Sequence, residues 1–206
     1  MLFFNSVHFS YIYKCLDSFQ DVSGIGVLPD FLKDSVRLDL LEELKRYHMV
    51  QAPYERGLRK VRQEYKSFDA FPPESLFLQI RTALEEELSA LYYRIFLPPN
   101  PGESLRFTHQ VVQRYEQSPI GIGAHHDGES YINLVALLVL EGSDGLHSCD
   151  DGEGSNPVLV PNKAGDLILI PGFDSSAINR KVFHLVKDIT EKRTVLAFRQ
   201  KKTIQG

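Results

Sequence analysis

Hydrophobic residues recur at helical intervals in two stretches of the first half of the chain. The first stretch is LKDSVRLDLLEELKRY, and its apolar positions follow one face of a helix: Leu32, Val36, Leu40, Leu41 and Leu44. Asp30 stands just before it and is a residue type that caps helix starts, so we expect Asp30 to cap this helix. The second stretch opens at Glu74 or Ser75, behind the breaker Pro72-Pro73, and predicts the longest helix.

After Gly102 the pattern changes to short apolar runs separated by Gly, Pro, Asn and Asp, which predicts strands. The runs are LRFTHQVVQRYE, YINLVALLVLEG, VLVPN, DLILIPG, KVFHLV and KRTVLAFRQ. Six or more strands after two long helices fit a jelly-roll barrel that is braced by helices. We therefore expect an α+β fold with helical support over about residues 1–100 and a barrel core over about residues 103–202.

Residues 142–157 separate two of these runs and are rich in Asp, Glu, Gly and Ser. A calcium loop carries its acidic residues at ordered positions, and that order is absent here. We therefore expect a flexible, solvated loop.

Composition and charge narrow the classes of function. The 206 residues are 43% hydrophobic and 24% charged, which is typical of a globular protein, and we expect one domain over residues 1–206. The net charge of −4 gives no positive field for nucleic acid or an anionic membrane, so we expect neither as a partner. Two distant cysteines in no metal or redox spacing, and no apolar run of about 18 residues, predict a cytoplasmic protein.

Three residues combine into a candidate metal site. His125 and Asp127 point the same way if the chain is extended there, whereas His126 points the opposite way. The pair alone is not specific, because His-X-Asp is expected by chance about 0.4 times in a chain of this composition. His184 is a possible third ligand, since distant strands become neighbours in a jelly roll. Two histidines and a carboxylate hold non-haem Fe(II) and leave positions open for chemistry, although they also satisfy Zn(II).

Arg193 adds a cation nine residues after His184. A 2-oxo acid can chelate a metal through its keto oxygen and carboxylate, and its far carboxylate then needs a positive group in the pocket. Arginine suits this role because its planar fork pairs with a carboxylate at two points and stays charged when partly buried. Arg193 is therefore a candidate for binding that carboxylate.

The chain resembles the Fe(II)/2-oxoglutarate-dependent dioxygenase superfamily in three segments and in their order. The segments are RYEQSPIGIGAHHDGESYINLVALL, AGDLILIPG and VFHLVKDITEKRTVLAFR. The resemblance covers residues 106–199 and implies a double-stranded β-helix with iron at its mouth. It implies that His125, Asp127 and His184 bind the iron and that Arg193 binds 2-oxoglutarate, with O2 as the other co-substrate.

Two further residues match less closely. Tyr115 resembles the tyrosine that donates its hydroxyl to 2-oxoglutarate in this superfamily. Arg199 would share a strand face with Arg193, and a similar arginine pair occurs in AlkB-type demethylases.

The resemblance also bears on the substrate. His-X-Asp-Gly followed by Tyr131 is similar to free amino acid hydroxylases of the isoleucine dioxygenase type. It implies hydroxylation, or another oxidation, of an unactivated C–H bond in a small molecule such as an amino acid or a related metabolite. Residues that could face the substrate are Tyr131, Asn133, Phe173 and Arg199.

Three alternatives stay open at this stage. An AlkB-like nucleic-acid demethylase is supported by the arginine pair and opposed by the net charge. A peptidyl hydroxylase would use the same metal site on a different substrate. A cupin-like metabolite-binding barrel with structural Zn(II) would need no oxidation at all. The sequence does not indicate an oligomeric state.

Overall fold

A computed structural model describes residues 2–6, 9–21, 23–57, 60–95, 105–172 and 181–202 of the chain. The helices are α1 (Phe9–Asp17), α2 (Asp34–Leu44) and α3 (Leu76–Ile95). The strands are β1 (Gly26–Leu28), β2 (Val50–Gln51), β3 (Glu55–Arg56), β4 (Val61–Arg62), β5 (Lys66–Phe68), β6 (His109–Tyr115), β7 (Ser118–His125), β8 (Tyr131–Glu141), β9 (Leu146–Cys149), β10 (Val158–Leu159), β11 (Leu167–Pro171), β12 (Phe183–Ile189) and β13 (Arg193–Lys201).

Two antiparallel sheets form the body of the protein. The larger has seven strands in the order β1-β11-β8-β13-β6-β5-β2, and the smaller has four in the order β10-β9-β12-β7. A separate hairpin is formed by β3 and β4. These mostly antiparallel sheets with few helices fit the predicted jelly-roll-like fold. No described helix is both long enough and apolar enough to cross a membrane.

Side chains of the large sheet alternate between two cores, as the period of a strand requires. On β13, Leu196 and Phe198 belong to the core shared with the helices. Val195 and Ala197 belong to the core shared with the small sheet. The protein therefore has three layers, and the inward face of β13 points into the space between the sheets.

Asp30 does not cap α2, contrary to the prediction. The helix begins at Asp34 after Lys33, whose backbone is extended and whose side chain makes no cap hydrogen bond. Asp30 has a positive φ of 49° and forms an ion pair with Lys163 at 3.0 Å. The chain stays non-helical after Asp30 because Leu32, which is 2% exposed, pairs with Phe4 and packs in the core.

Two other expectations also need correction. Residues 50–68 lie in the part expected to be helical, yet they contain β2 to β5, and β5 extends the large sheet by pairing with β6. Residues 142–157 contain β9, which pairs with β12 and buries Leu146 to 1% exposure. Both segments have short strands whose apolar residues are too few to show a clear period in the sequence.

The start of α3 is confirmed near Ser75, and α2 contributes to it. Ser75 Oγ accepts a hydrogen bond from the Phe77 N–H at 3.1 Å. Glu43 Oε2 accepts one from the Leu76 N–H at 3.0 Å, and Glu43 Oε1 accepts one from the Ser75 hydroxyl at 2.6 Å. Since the first N–H groups of a helix have no partner inside it, Glu43 links the two helices by satisfying one of them.

We expect Glu43→Ala to lower the free energy of unfolding by about 1–3 kcal/mol, because partly buried donors at the start of α3 lose a charged acceptor. Glu42→Ala is the matched control, since its exposed carboxylate contacts Lys45 on the helix surface. Urea denaturation of both variants measures the difference. An equal shift of the two midpoints would contradict the role of Glu43.

Candidate active site

Two strands of the small sheet place His125 and His184 side by side. β7 pairs with β12, and the two histidines are direct partners in that register. Their ring centroids are 4.4 Å apart at an interplanar angle of 56°. Antiparallel pairing thus brings together two side chains that are distant in the sequence.

Both imidazoles are oriented by backbone carbonyls. His125 Nδ1 lies 2.9 Å from Gly123 O, and His184 Nδ1 lies 3.2 Å from Val182 O. A carbonyl oxygen only accepts, so Nδ1 carries the proton in each ring and Nε2 keeps its lone pair. Burial lowers the pKa of both rings, that of His125 to about 3. Neutral imidazoles held in this way are the form that binds metals.

Asp127 brings a carboxylate to the same point. Its Oδ2 lies 3.7 Å from His184 Nε2 and is buried with no hydrogen-bond partner in the described part of the chain. Its Oδ1 accepts a hydrogen bond from Arg199 Nε at 2.7 Å. Burial by itself would raise the pKa of the Asp127 carboxyl, but the charge and hydrogen bond of Arg199 act against it, and that pKa lies below its usual value. The carboxylate is therefore ionised, with one oxygen held and one oxygen free.

These donors suit a divalent metal. Atoms that bind one metal at about 2.0–2.2 Å lie roughly 3–3.6 Å apart, which is close to the separation of Asp127 Oδ2 and His184 Nε2. Among the described residues, no three histidine, cysteine or carboxylate side chains already have the geometry of a metal site. The three candidate side chains must therefore close further around a metal.

His126 does not share the direction of its neighbours. Its ring packs edge-on against Phe183, with centroids 5.2 Å apart. Its Nδ1 lies 2.7 Å from Asp127 O. The ring lines the outer side of the site together with Asp127, but not the inner cavity that His125 and His184 line. All three side chains of residues 125–127 line the outer side of the site, and β7 ends at His125, so what agrees with the predicted alternation is that His125 and Asp127, and not His126, line the inner cavity.

Arg193 is buried at the base of the inner cavity and is 1% exposed. Its Nε donates to Asp144 O at 2.8 Å, and its Nη2 donates to Asn162 Oδ1 at 3.1 Å. Both acceptors are neutral, and Arg193 has no ion pair within the described ranges. Burial lowers the pKa of Arg193 to about 10, so the guanidinium remains charged at neutral pH.

The segment expected to be a solvated loop helps to hold Arg193. Gly142 and Gly145 both have φ near +80°, and they turn the chain so that Asp144 O faces the guanidinium. Asn162 completes the arrangement, since its N–H donates to Asp144 Oδ1 at 3.2 Å. Asp144 and Asn162 are site residues that the sequence did not reveal, because one acts through its backbone and the other is a lone amide.

Tyr115 also lines the inner cavity, opposite Arg193 in the register of β6 and β13. It is 2% exposed, and its hydroxyl lies 3.4 Å from Gln113 Oε1. Burial raises the pKa of Tyr115, so the phenol stays protonated and can donate a hydrogen bond. Gly121 makes room for the ring, because a Cβ at that position would lie 2.6 Å from Tyr115 Cδ1.

Arg199 shares the inward face of β13 with Arg193, as the strand period predicted, and lines the same cavity. It is engaged by Asp127, and its guanidinium also lies over the Tyr131 ring, 5.6 Å from the centroid. Asp127 raises the pKa of Arg199 against the opposing effect of burial. Arg199 is therefore occupied by a carboxylate, whereas Arg193 is not.

The candidate metal site separates the inner cavity from an outer cleft of about 520 Å³. The residues that line both spaces are Gln113, Ile122, His125, Asp127 and Arg199. The polar residues of the cleft that the sequence did not reveal are Arg56, Gln63, Ser67, Asp69, His109, Gln113 and Ser130. Most of them belong to residues 50–69, where short strands replace the expected helical support.

Of the residues expected to face a substrate, Tyr131 and Arg199 line the outer cleft. Asn133 does not, because its amide donates to Gln200 Oε1 at 2.9 Å. Phe173 lies outside the described residues.

No protein-family model matches the chain, and no curated protein matches its sequence. Solved structures do match. The prolyl-4-hydroxylase of Pseudomonas putida matches with a TM-score of 0.65 at 16% identity, over 93% of this chain and 99% of that one. HygX of Streptomyces hygroscopicus, solved with nickel and 2-oxoglutarate, matches at 0.61 and 16% identity, over 92% and 87%.

A third match has a TM-score of 0.60 at 14% identity, over 93% of this chain and 90% of the other. It is a prolyl hydroxylase of Trichoplax adhaerens in complex with a peptide fragment of hypoxia inducible factor. These matches cover nearly the whole chain, and at sequence identities this low they indicate a shared fold and nothing more specific. The protein has the fold of the Fe(II)- and 2-oxoglutarate-dependent oxygenases.

Proposed function

We propose that this protein is an Fe(II)- and 2-oxoglutarate-dependent oxygenase that oxidises, most simply by hydroxylation, a C–H bond of a small polar molecule. The observation that carries the proposal is the buried guanidinium of Arg193, which has hydrogen bonds but no carboxylate partner. A buried charge is costly unless an opposite charge accompanies it, so this position calls for an anion. The far carboxylate of 2-oxoglutarate meets that need.

In this proposal His125, Asp127 and His184 hold the iron at the mouth of a double-stranded β-helix. The donor set fits, because it combines two neutral imidazoles with a buried carboxylate oxygen that has no described hydrogen-bond partner. When iron is bound together with 2-oxoglutarate and O2, it supplies the oxidising chemistry.

The residues of the chain control position and solvent. Arg193 pairs with the far carboxylate of 2-oxoglutarate, and the Tyr115 hydroxyl can donate a hydrogen bond within the same cavity. Arg199 holds Asp127 Oδ1, which leaves Oδ2 to face the iron. Apolar walls limit the access of water to the inner cavity, and they include Leu137, Ile170 and Val195.

An amino acid or a related metabolite is our leading substrate class. The outer cleft has a volume that suits a small ligand, and most of the side chains that line it are polar. Similar structures have been solved with hygromycin B and with a peptide fragment, so the fold serves ligands of different size. Peptidyl hydroxylation is the second candidate, supported by the likeness to two prolyl hydroxylases. The net charge of −4 opposes nucleic-acid demethylation.

We expect Arg193→Leu to weaken 2-oxoglutarate binding by about 2–5 kcal/mol, or at least roughly 30-fold, because a buried carboxylate loses its counter-charge. Isothermal titration with 2-oxoglutarate, in the presence of Mn(II) in place of iron, measures the loss. The matched control is Arg114→Leu. Arg114 lies on β6 opposite Thr194 and donates to the Thr194 hydroxyl, and it does not line the cavity. Unchanged affinity in Arg193→Leu would contradict the proposal.

We expect His125→Ala and His184→Ala to lose the thermal stabilisation that metal gives the parent protein. A metal at about one hundred times its Kd stabilises the folded state by about 2.7 kcal/mol, so the loss is readily seen by calorimetry under anaerobic Fe(II). His126→Ala is the control, because that ring packs on Phe183 and should leave the metal effect in place. An equal loss in all three variants would mean that the candidate ligand set is wrong.

If the protein is instead a metabolite-binding barrel with structural zinc, no iron-dependent turnover of 2-oxoglutarate is expected, in contrast to the oxygenase proposal. Protein purified without oxygen and loaded with Fe(II) should release succinate from 2-oxoglutarate in air, and the zinc-loaded protein should not. Metal analysis of the protein, together with this succinate assay, distinguishes an oxygenase from a barrel with structural zinc. Stoichiometric zinc without iron-dependent succinate release would support a metabolite-binding barrel that is not an enzyme.

A further inference from the structure

The outer cleft is formed by the open end of the space between the sheets and by the β3–β4 hairpin. β5 and β6 provide a wall that includes Ser67 and His109, and β13 provides Arg199. The hairpin closes another side with Arg56 and Val61. The polar side chains of the cleft wall suit a hydrophilic ligand. An apolar ligand would displace water from these side chains without replacing the hydrogen bonds that the water makes.

Two charges in this cleft have opposite sign and lie on different elements. Arg56 is on β3 of the hairpin, and Asp69 follows β5 of the large sheet. Both are exposed, and within the described ranges neither forms an ion pair. The cleft's other strong charges, Asp127 and Arg199, are already paired with each other at 2.7 Å. One cation and one anion are therefore available to a ligand.

The charges of Arg56 and Asp69 both affect the pKa of His109. Burial lowers the pKa of His109, and Arg199 and Arg56 lower it further while Asp69 acts in the opposite direction. The imidazole is thus neutral, and its ring lines the same cleft as Arg56 and Asp69. Its Nδ1 is buried and has no hydrogen-bond partner among the described residues. The His109 ring lines the cleft, and a buried polar atom without a partner is one that a bound ligand or water can satisfy.

We propose that Arg56, Asp69 and His109 determine substrate specificity, and that they select a small zwitterion. Its anionic group pairs with Arg56, its protonated amine pairs with Asp69, and His109 Nδ1 hydrogen-bonds to the polar part between them. This inference rests on the proposed oxygenase function and names the substrate class of the same site. An internal residue of a peptide carries neither backbone charge, so the arrangement favours a free molecule over a peptide.

The test uses the protein loaded with Mn(II) and 2-oxoglutarate, so that binding is measured without turnover. The probes are free α-, β- and γ-amino acids, each compared with its amide, which lacks the anion, and its N-acetyl derivative, which lacks the cation. Ligand-observed NMR ranks binding, and substrate-stimulated succinate release by the iron-loaded protein gives an independent reading. We expect at least one free amino acid to bind ten-fold or more tightly than both of its derivatives.

Variants then assign each charge to its residue. Arg56→Gln should remove the preference for the free acid over the amide, and Asp69→Asn should remove the preference for the free amine over the N-acetyl derivative. His109→Phe keeps a ring but lacks Nδ1, and it should weaken the best probe at least five-fold. Glu55→Gln is the control: this neighbouring hairpin charge does not line the cleft, and its loss should leave both preferences as in the parent.

The outcomes separate this inference from the function on which it rests. If metal and 2-oxoglutarate bind normally but no probe binds, or if both variants keep the selectivity of the parent, the specificity assignment is wrong and the oxygenase proposal stands. If a proline-containing peptide binds better than every free amino acid, the zwitterion is likewise excluded. If neither metal nor 2-oxoglutarate binds, both proposals fail.

Discussion

The pairing of β7 with β12 is the interaction on which the candidate site depends. Its register makes His125 and His184 direct neighbours across two strands and places His184 Nε2 3.7 Å from Oδ2 of Asp127, which follows the end of β7. A slip of one residue would send every side chain of β12 to the opposite face. The pairing is irregular on both sides of Val186, and the strand is held in place because Val186 and Ile189 pack into the core between the sheets. Core packing therefore fixes the positions of the polar site.

The site combines groups that are costly to bury with neighbours that reduce the cost. Asp127 is stabilised as an anion by Arg199, so these two charges offset each other inside the protein. Arg193 has only neutral hydrogen-bond acceptors, Asp144 O and Asn162 Oδ1, and the nearby Asp144 carboxylate acts on it without forming an ion pair. The free protein thus carries an electrostatic cost at one position, and binding of an anion there would relieve it.

The main chemistry could be predicted from the sequence because it depends on short-range alternation and on residue type. The period of an extended chain accounts for the way His125 and Asp127 both line the inner cavity. It also accounts for the shared face of Arg193 and Arg199. The long strands and α3 were also predictable, since their apolar patterns extend over enough residues to show a period.

The remainder required tertiary structure. The strands between residues 50 and 68 contain two or three residues each. β5 forms on the edge that β6 offers and β2 adds to β5, whereas β3 and β4 pair with each other. Neither His109 nor Asp69 belongs to a motif, so their common cleft could not be inferred without the sheet register. Asp30 illustrates the same limit, because burial of Leu32 outweighed its local tendency to begin a helix.

Gly121 has a consequence for how this protein can vary. The residue does not have a positive φ, so its backbone would accept other amino acids, and it is the Tyr115 ring and the end of the Ile189 side chain that leave no space for a side chain. Positions 115, 121 and 189 should therefore vary together among relatives. A glycine at 121 accompanies an aromatic ring at 115 and a long side chain at 189, and a larger residue at 121 requires smaller ones at both. That coupled variation is a signature by which distant members could be recognised where overall identity is too low to align them.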